Sequence, residues 1–308
     1  MAADPTHKHS RFLISILSVI AVVVVLVLTP YGRRIAGNFF SSLRVQKVQA
    51  VNINLSNFTG SNADPALRQM VTQMVSDKVK VTVNQPGQPA ANAEMASQLA
   101  GFHVQLLSAR KETPQLEVAG EHAFELAIDR ARLQEILKEA GRSDLKLPAS
   151  IDGETVAVTI PRTVMARYGD CPAPPSATAN LATPPPSTVQ YSDCVLLREG
   201  PSPIVNVPPG VDFEKIAEIA LQVAGMTQEQ ARQFLQTVNW KQTLGVSIPR
   251  FMRSYEAVIV NGVQGTLLNT AGRRGPTYAL VWAKNGMVYS LTGFGNSTDA
   301  VALANSLK

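Results

Sequence analysis

An uninterrupted apolar run near the start of the chain constrains this protein more than any other feature. Residues 12–28 read FLISILSVIAVVVVLVL and contain no charged side chain. An α-helix needs about 20 apolar residues to cross the hydrocarbon core of a bilayer, and the following TPY extends the run to that length. Tyr31 is also a typical side chain at a membrane interface. The sequence therefore predicts one transmembrane anchor over residues 12–31, preceded by a short tail, residues 1–11.

A cleaved secretory signal is the alternative interpretation of this run. Its basic start, with Lys8 and Arg11, fits such a signal, but the run exceeds the usual signal core of about 7–15 residues. The following TPYGRRIAGNFF offers no small-x-small cleavage site close to the apolar end. A buried core helix is disfavoured because the run is apolar on every face. An uncleaved anchor that holds the chain in the lipid bilayer is the favoured interpretation.

The two cysteines bear on the compartment in which the rest of the chain lies. Cys171 and Cys194 flank a stretch that is rich in Pro, Ala, Ser and Thr. Two cysteines that close a flexible loop are typical of a disulfide, and disulfides persist in oxidising compartments. Two unrelated free thiols are the alternative. Metal binding is disfavoured because the chain has no CxxC motif, so the sequence predicts no metal site.

The orientation of the anchor follows from these cysteines rather than from the flanking charges. Lys8 and Arg11 precede the run, whereas Arg33, Arg34 and further basic residues follow it. The positive-inside rule alone places the following side in the cytoplasm, but long domains translocate largely regardless of charge. We therefore expect a single-pass protein of the cell membrane, with a cytoplasmic N-terminus and an extracytoplasmic C-terminal domain.

Helix and strand patterns are mixed without strict alternation downstream of the anchor, which predicts an α+β fold. VKVTV, FHVQLLS, HAFELAI and ETVAVTI alternate as strands do, and Asp64 and Asp129 are N-cap residues of predicted helices. Asn261-Gly262 and Asn285-Gly286 each join two alternating segments and predict hairpins. We expect an antiparallel sheet with packed helices.

Three predicted helices carry apolar stripes that we expect to be buried. The first includes Leu67 and Val75, and a later one begins with Phe213. The closing helix, roughly residues 298–307, offers Val301, Ala304 and Leu307 as its stripe.

The Pro-rich stretch divides the predicted exterior into two parts. Residues 32–170 form a first α+β part, and residues 171–209 a Pro-rich loop closed by the disulfide. Residues 210–308 form a C-terminal α+β part with the two hairpins and the closing helix. Hydrophobic residues make up 45% of the chain, which is enough for a packed core outside the anchor.

The chain lacks the sequence motifs of the common enzyme classes. It has no GxSxG, HExxH, Walker or GxGxxG motif, so we expect a non-enzymatic protein without a cofactor. Acidic residues such as Asp212 and Glu214 lie at a predicted helix start, where the helix dipole favours them without any catalytic role. His103 is expected to face solvent. An envelope hydrolase that uses paired carboxylates is the alternative.

The basic residues point to a membrane or a protein partner rather than to nucleic acid. The net charge of +5 is modest, and Arg33 and Arg34 are placed to meet lipid phosphates. No basic helix with interleaved aromatic residues predicts nucleic-acid binding. Arg273 and Arg274 lie between the two hairpins, where they form either a solvated connection or a contact with an acidic partner. Trp282 is expected in the core.

The C-terminal third resembles a known type of bacterial domain. The segments VNGVQG, LVW and NGMVYSLTG, together with the closing apolar helix, are similar to an extracytoplasmic domain of unknown function in membrane-tethered anti-sigma-factor-like regulators. FFSSLRVQKVQAV and EMASQLAGFHV resemble the earlier part of such proteins. The resemblance implies a sensor or interaction module of the cell envelope with an unknown ligand or partner protein. Because only MAADPTHKHS precedes the anchor, we expect no sigma-sequestering segment.

Overall fold

Six helices and three β-sheets make up the part of the chain that the structure describes. This computed structural model describes residues 47–52, 64–171, 193–208, 210–237, 243–248, 254–272, 275–294 and 298–308. Residues 12–31 lie outside these ranges, so the anchor remains a prediction. Within the described ranges, no helix combines the length and the apolarity that crossing a membrane requires.

The first half of the described chain contains three helices and most of the shorter strands. In chain order its elements are β1 (Lys47–Asn52), α1 (Pro65–Lys78), β2 (Val79–Asn84), β3 (Gln88–Ala90), α2 (Ala93–Ala100), β4 (Gln115–Ala119), β5 (His122–Ala127), α3 (Arg130–Glu139), a 3₁₀ turn (Ala149–Ile151), β6 (Thr155–Ile160) and β7 (Thr163–Tyr168). Asp64 and Asp129 cap α1 and α3 through their side chains, as predicted.

The second half contains the hairpins and the closing helix. Its elements are β8 (Val195–Pro201), β9 (Ile204–Asn206), α4 (Phe213–Val223), α5 (Gln228–Thr237), β10 (Thr243–Ile248), β11 (Ser254–Val260), β12 (Val263–Gly272), β13 (Gly275–Lys284), β14 (Met287–Phe294) and α6 (Thr298–Asn305). Both predicted Asn-Gly turns are present. Asn261 and Asn285 have φ of 49° and 54°, which are the values that a tight hairpin turn requires.

The strands form one large, one small and one two-stranded sheet. The large sheet has the order β11-β12-β13-β14-β8-β7-β4-β3, the small sheet has the order β2-β5-β6-β9, and both are antiparallel. The predicted α+β class with antiparallel sheets and packed helices is therefore confirmed. β1 and β10 pair in parallel as a separate ribbon, which the sequence patterns did not predict.

One face of the large sheet forms the main core. Trp282, Leu280 and Leu291 are buried there. The face is covered by α6 over β11, β13 and β14, by α2 over β3, β4 and β7, and by residues 102–108, here called the strap. A second core lies between α3, the 3₁₀ turn and α4, and it includes Leu137 and Ile219. The large sheet therefore has an extensive covered face, and a cavity opens on this face.

Two predictions about strands were incomplete. FHVQLLS was predicted as a strand, but the strap pairs through a single bridge, between Leu107 and Leu307. The prediction was wrong because the strap crosses over the face of the large sheet and does not join its edge. β8 and β9 lie inside residues 171–209, where the composition predicted only a loop.

The predicted helical stripes are buried only in part. Leu67 of α1 is buried, whereas Val75 is 48% exposed and Phe213 is 43% exposed. Val75 lies in the last turn of α1, and Phe213 is the first residue of α4. In α6 the fully buried residues are Ala300 and Ala304. Their small side chains permit close packing on the sheet, and Leu307 follows after the helix has ended.

Candidate functional site

A cavity of about 430 Å³ opens on the covered face of the large sheet, where β13 and β14 meet. The strands contribute Trp282, Lys284, Met287 and Tyr289 to its wall. Trp282 is paired with Tyr289, and Lys284 with Met287, so all four side chains point to the same face. The cavity is therefore built by two rows of cross-strand neighbours at one hairpin.

The covering segments supply the other walls. Phe102, His103 and Gln105 come from the strap, and Leu307 comes from the end of the chain. The backbone N–H of Leu106 donates to Lys308 O at 2.9 Å, and the N–H of Lys308 donates to Leu106 O at 3.1 Å. The strap and the C-terminus thus hold each other over the sheet.

Trp282 and Tyr289 form an aromatic wall. Their ring centroids are 5.2 Å apart and the rings are inclined by only 8°. Gly265 lies opposite Trp282 on β12, and a Cβ there would come within 3.2 Å of the Trp282 Cβ atom. The glycine leaves room for the indole, which is buried as predicted.

A buried carboxyl group lies next to this aromatic pair, on the neighbouring strand. Glu199 of β8 is the cross-strand neighbour of Tyr289 and is only 2% exposed. Its Oε1 accepts a hydrogen bond from the Gln105 N–H at 2.8 Å, and its Oε2 has no partner among the described residues. Burial raises the pKa of Glu199 to about 8, because the single N–H bond offsets only part of the desolvation. At neutral pH this carboxyl group is mostly protonated.

Gln105 connects the carboxyl group to the aromatic wall. The Tyr289 hydroxyl donates to Gln105 Oε1 at 3.2 Å. Burial, and then the nearby Glu199 charge, raise the pKa of Tyr289 to about 12, so its hydroxyl stays a donor at neutral pH. Gln105 is therefore fixed at both its backbone and its side chain.

Lys284 brings a positive charge to the cavity. Its Nζ donates to Asn261 O at 2.9 Å, and the Asn261 side chain donates in turn to Ala304 O at 3.2 Å. An ammonium group has three N–H donors, so two remain for a ligand. Among the described residues that line the cavity there is no carboxylate. The lining is therefore positive on balance.

The predicted disulfide is present at the ends of two interior strands of the same sheet. The Cα atoms of Cys171 and Cys194 are 4.7 Å apart and their sulfur atoms are bonded, which confirms the pairing. The bridge links the end of β7 to the start of β8. Arg110 supports it by an ion pair of 2.9 Å with Asp193. Neither cysteine lines the cavity.

Arg273 and Arg274 lie outside the described residues, so their proposed contact with a partner remains a prediction. His103 is exposed, as expected, and it borders the cavity.

The residues of this candidate site that the sequence did not predict are Glu199, Gln105, Lys284 and Tyr289. One local signal for Glu199 was available, because Val195, Leu197 and Glu199 alternate in a strand pattern and place a carboxyl group on the apolar face.

A second concavity, of about 420 Å³, lies along α3. Two of its polar side chains, Gln134 and Arg130, are already bonded within the fold. Gln134 donates to Leu145 O at 2.8 Å and accepts from the Leu147 N–H at 3.1 Å, and Arg130 Nε donates to Leu147 O at 2.9 Å. These bonds stabilise the turn after α3. The cavity beside Glu199 is the stronger candidate because a buried polar atom there lacks a partner.

Comparisons of the chain with protein-family models, with curated proteins and with solved structures found no match. The resemblance to the anti-sigma-factor-like regulators therefore remains a prediction. Within the described ranges, no group of three or more His, Cys, Asp and Glu residues is arranged to hold a metal ion.

Proposed function

We propose that this chain is a membrane-anchored, extracytoplasmic binding module of the cell envelope that senses a ligand or partner and does not catalyse a reaction. The observation that supports it best is the cavity between Trp282, Tyr289 and the strap. Ligand sites are concave, mostly apolar and furnished with a few convergent polar groups, and volumes of about 300–1,000 Å³ are usual. At about 430 Å³, with Gln105 and Lys284 at its wall, this cavity fits that description.

Binding fits the arrangement of carboxyl groups better than hydrolysis does. A glycosidase-like hydrolase needs two carboxyl groups that face each other about 5–10 Å apart. In the described ranges, two acidic side chains are buried, Glu199 and Glu218. Glu218 is bonded to Lys215, Gln228 and Arg232 and serves to join α4 to α5. This leaves Glu199 without a second carboxyl group at the cavity, which favours the binding module over the hydrolase.

The location belongs to the same proposal. The apolar run over residues 12–31 would hold the chain in the bilayer, with Arg33 and Arg34 at the lipid phosphates. The disulfide between Cys171 and Cys194 supports an oxidising, extracytoplasmic compartment. Arg273 and Arg274 are proposed to contact an acidic protein partner. A regulatory role is what the resemblance to the anti-sigma-factor-like regulators would imply.

A thermal-shift screen of small amphipathic compounds tests the binding function. The full chain, purified in detergent, is compared with Met287→Trp, which fills the cavity, and with Met95→Trp, which adds the same side chain to an exposed position on α2. We expect compounds that raise the melting temperature of the wild type and of Met95→Trp but leave Met287→Trp unchanged. An equal response of all three proteins, or no response of the wild type, would contradict the proposal.

A reporter fused after Lys308 tests the location. A reporter that is active only outside the cytoplasm should be active here, because the long domain is translocated. Activity of a cytoplasmic reporter at the same position would overturn the proposed orientation.

A further inference from the structure

We propose that the cavity between Trp282, Tyr289 and Lys284 selects a small organic anion that carries a planar ring. Lys284 binds the anionic group, and the two aromatic side chains bind the ring. This inference rests on the proposed binding function and adds the chemical class of the ligand.

The position of Lys284 supports the choice of an anion. The bond from Nζ to Asn261 O fixes the ammonium group at the cavity wall and leaves two N–H donors for a ligand. Asn261 is itself held, because its backbone N–H donates to Asn305 Oδ1 at 2.6 Å. A fixed cation in a partly enclosed site attracts an anion more strongly than one in open water, since the effective dielectric constant is lower. An ionic hydrogen bond to a carboxylate is also stronger than a neutral one.

The remaining walls support the choice of a planar ring. Trp282 and Tyr289 stack on each other and border the cavity, and Met287, Phe102 and Leu307 add apolar surface. Planar rings pack favourably on aromatic faces or against their edges. A Met side chain adapts to the outline of a ring and adds a sulfur–aromatic contact. The volume of about 430 Å³ holds a bicyclic ring together with its anionic group.

The buried Glu199 does not oppose an anion. Burial raises its pKa to about 8, so at neutral pH the carboxyl group is mostly uncharged. A protonated Oε2, which has no partner among the described residues, is a hydrogen-bond donor and not a negative charge. An organic cation, by contrast, would meet the charge of Lys284, and no carboxylate among the described lining residues would offset that repulsion. Lys284 therefore favours an anion, and the uncharged Glu199 does not oppose one.

Three probes with one ring system test the ligand class by isothermal titration calorimetry on the full chain at pH 7. They are 2-naphthylacetate, the neutral 2-naphthylacetamide and the cationic 2-(2-naphthyl)ethylammonium. We expect the anion to bind about tenfold more tightly than the amide, as one additional charge-assisted bond would give. The cation should bind most weakly. Equal binding of anion and amide, or tightest binding of the cation, would overturn the proposal.

Three variants test which side chain causes the preference for the anionic probe. Lys284→Met should remove the preference for the anion and keep the binding of the amide, while Lys80→Met, an exposed lysine of β2, should change neither. Glu199→Gln should keep the preference for the anion, because a neutral carboxyl group is replaced by a neutral amide. Loss of that preference in Glu199→Gln, or its survival in Lys284→Met, contradicts the assignment.

The failure of this inference is distinguishable from that of the binding function. Suppose that none of the naphthyl probes binds, but other compounds in the screen raise the melting temperature of the wild type and not that of Met287→Trp. The proposed ligand class is then wrong, and the proposed binding function stands. If no compound distinguishes Met287→Trp from Met95→Trp, both proposals fail.

Discussion

The large and the small sheet use the same antiparallel pairing, yet they differ sharply in burial. On the large sheet Leu280, Leu291 and Trp282 are almost fully buried on the covered face. On the small sheet none of the strand residues is buried, and Val81 and Val205 are 63% and 53% exposed. Both sheets contain apolar side chains at alternating positions, so the alternation of a strand alone does not determine how much free energy its side chains contribute.

The covering segments explain the difference. Two helices and the strap lie on the large sheet, and their contacts bury its face and leave the cavity at one end. The small sheet is contacted by α1, through β2 and β5, whereas α3 and α4 form their own core around Leu137 and Ile219. The side chains of the small sheet are therefore less deeply buried than those of the large sheet. We infer that the large sheet carries both most of the folding free energy and the binding site.

Matched leucine truncations should show this difference most strongly. Leu291→Ala in β14 should lower the free energy of unfolding by about 3–5 kcal/mol, because a fully buried side chain leaves a cavity. Leu126→Ala in β5 removes the same atoms from a half-buried site and should cost about 1 kcal/mol. Urea unfolding of the two variants measures both values. Equal losses of unfolding free energy in the two variants would contradict the difference in burial between the two sheets.

Removal of the disulfide should have the next largest effect. Cys171→Ser with Cys194→Ser releases a link between β7 and β8, two strands of the large sheet, with 23 residues of sequence separation. Chain-entropy arguments give a loss of about 3 kcal/mol for a loop of this size. Denaturant unfolding of the wild type with and without a reductant, beside the double variant, measures it. An unchanged free energy of unfolding in the double variant would contradict the claim that the disulfide stabilises the fold.

The pH dependence of stability should identify Glu199. Its pKa is about 8 in the fold, above the ordinary value of 4.5, so between these values the native state holds a proton that the unfolded state has released. The contribution of Glu199 to the free energy of unfolding is therefore fully present below pH 4.5, falls as the pH rises and is lost above pH 8. Between pH 5 and pH 7 the fall should be about 2–3 kcal/mol. Glu199→Gln should remove most of it in urea unfolding across this range, and an unchanged slope would contradict the burial of an ionisable group here.

Glu218, which joins α4 to α5, should give a pH dependence of stability with the opposite sign to that of Glu199. Burial alone would raise its pKa, but the hydrogen bonds from Lys215 and Gln228 outweigh burial and lower it. Its stabilising contribution is therefore present above the unfolded pKa and is lost as the pH falls. Glu218→Gln should reduce the loss of unfolding free energy at acidic pH. The fall of the unfolding free energy between pH 5 and pH 7, which we assign to Glu199, should remain.

The smallest effect is expected on the exposed face of the small sheet. Val81→Thr replaces a mostly exposed side chain by one of similar shape and similar strand preference. The free energy of unfolding should change by no more than about 0.5 kcal/mol, as for most surface substitutions. A thermal melt of the full chain measures it. A loss of several kcal/mol would show that this face is covered.

The local elements of this fold could be predicted from the sequence because their signals are local. Asn261-Gly262 and Asn285-Gly286 require only the turn residues and the alternation around them. The caps at Asp64 and Asp129 require only the following N–H groups. Thr227 and Gln230 likewise exchange the two hydrogen bonds of a capping box at the start of α5.

The site could not be predicted in the same way because its contacts are distant in sequence. The strap was interpreted as a strand, yet its N–H groups bond to Glu199, to the Tyr168 hydroxyl and to Lys308 O. The row of Trp282, Tyr289 and Glu199 exists only because β14 pairs with β8, which follows the Pro-rich stretch. Alternation places each side chain on a face, but it does not determine which strands become neighbours.

Amide hydrogen exchange of the full chain, with and without saturating 2-naphthylacetate, tests the central claim most directly. The claim is that the cavity on the large sheet is the binding site and that the small sheet takes no part. We predict slower exchange for the amides of Gln105 and Leu107 in the strap and along β14, and unchanged exchange around Phe124 in β5. Unchanged exchange in the strap under saturating ligand, or protection confined to the small sheet, would contradict the claim.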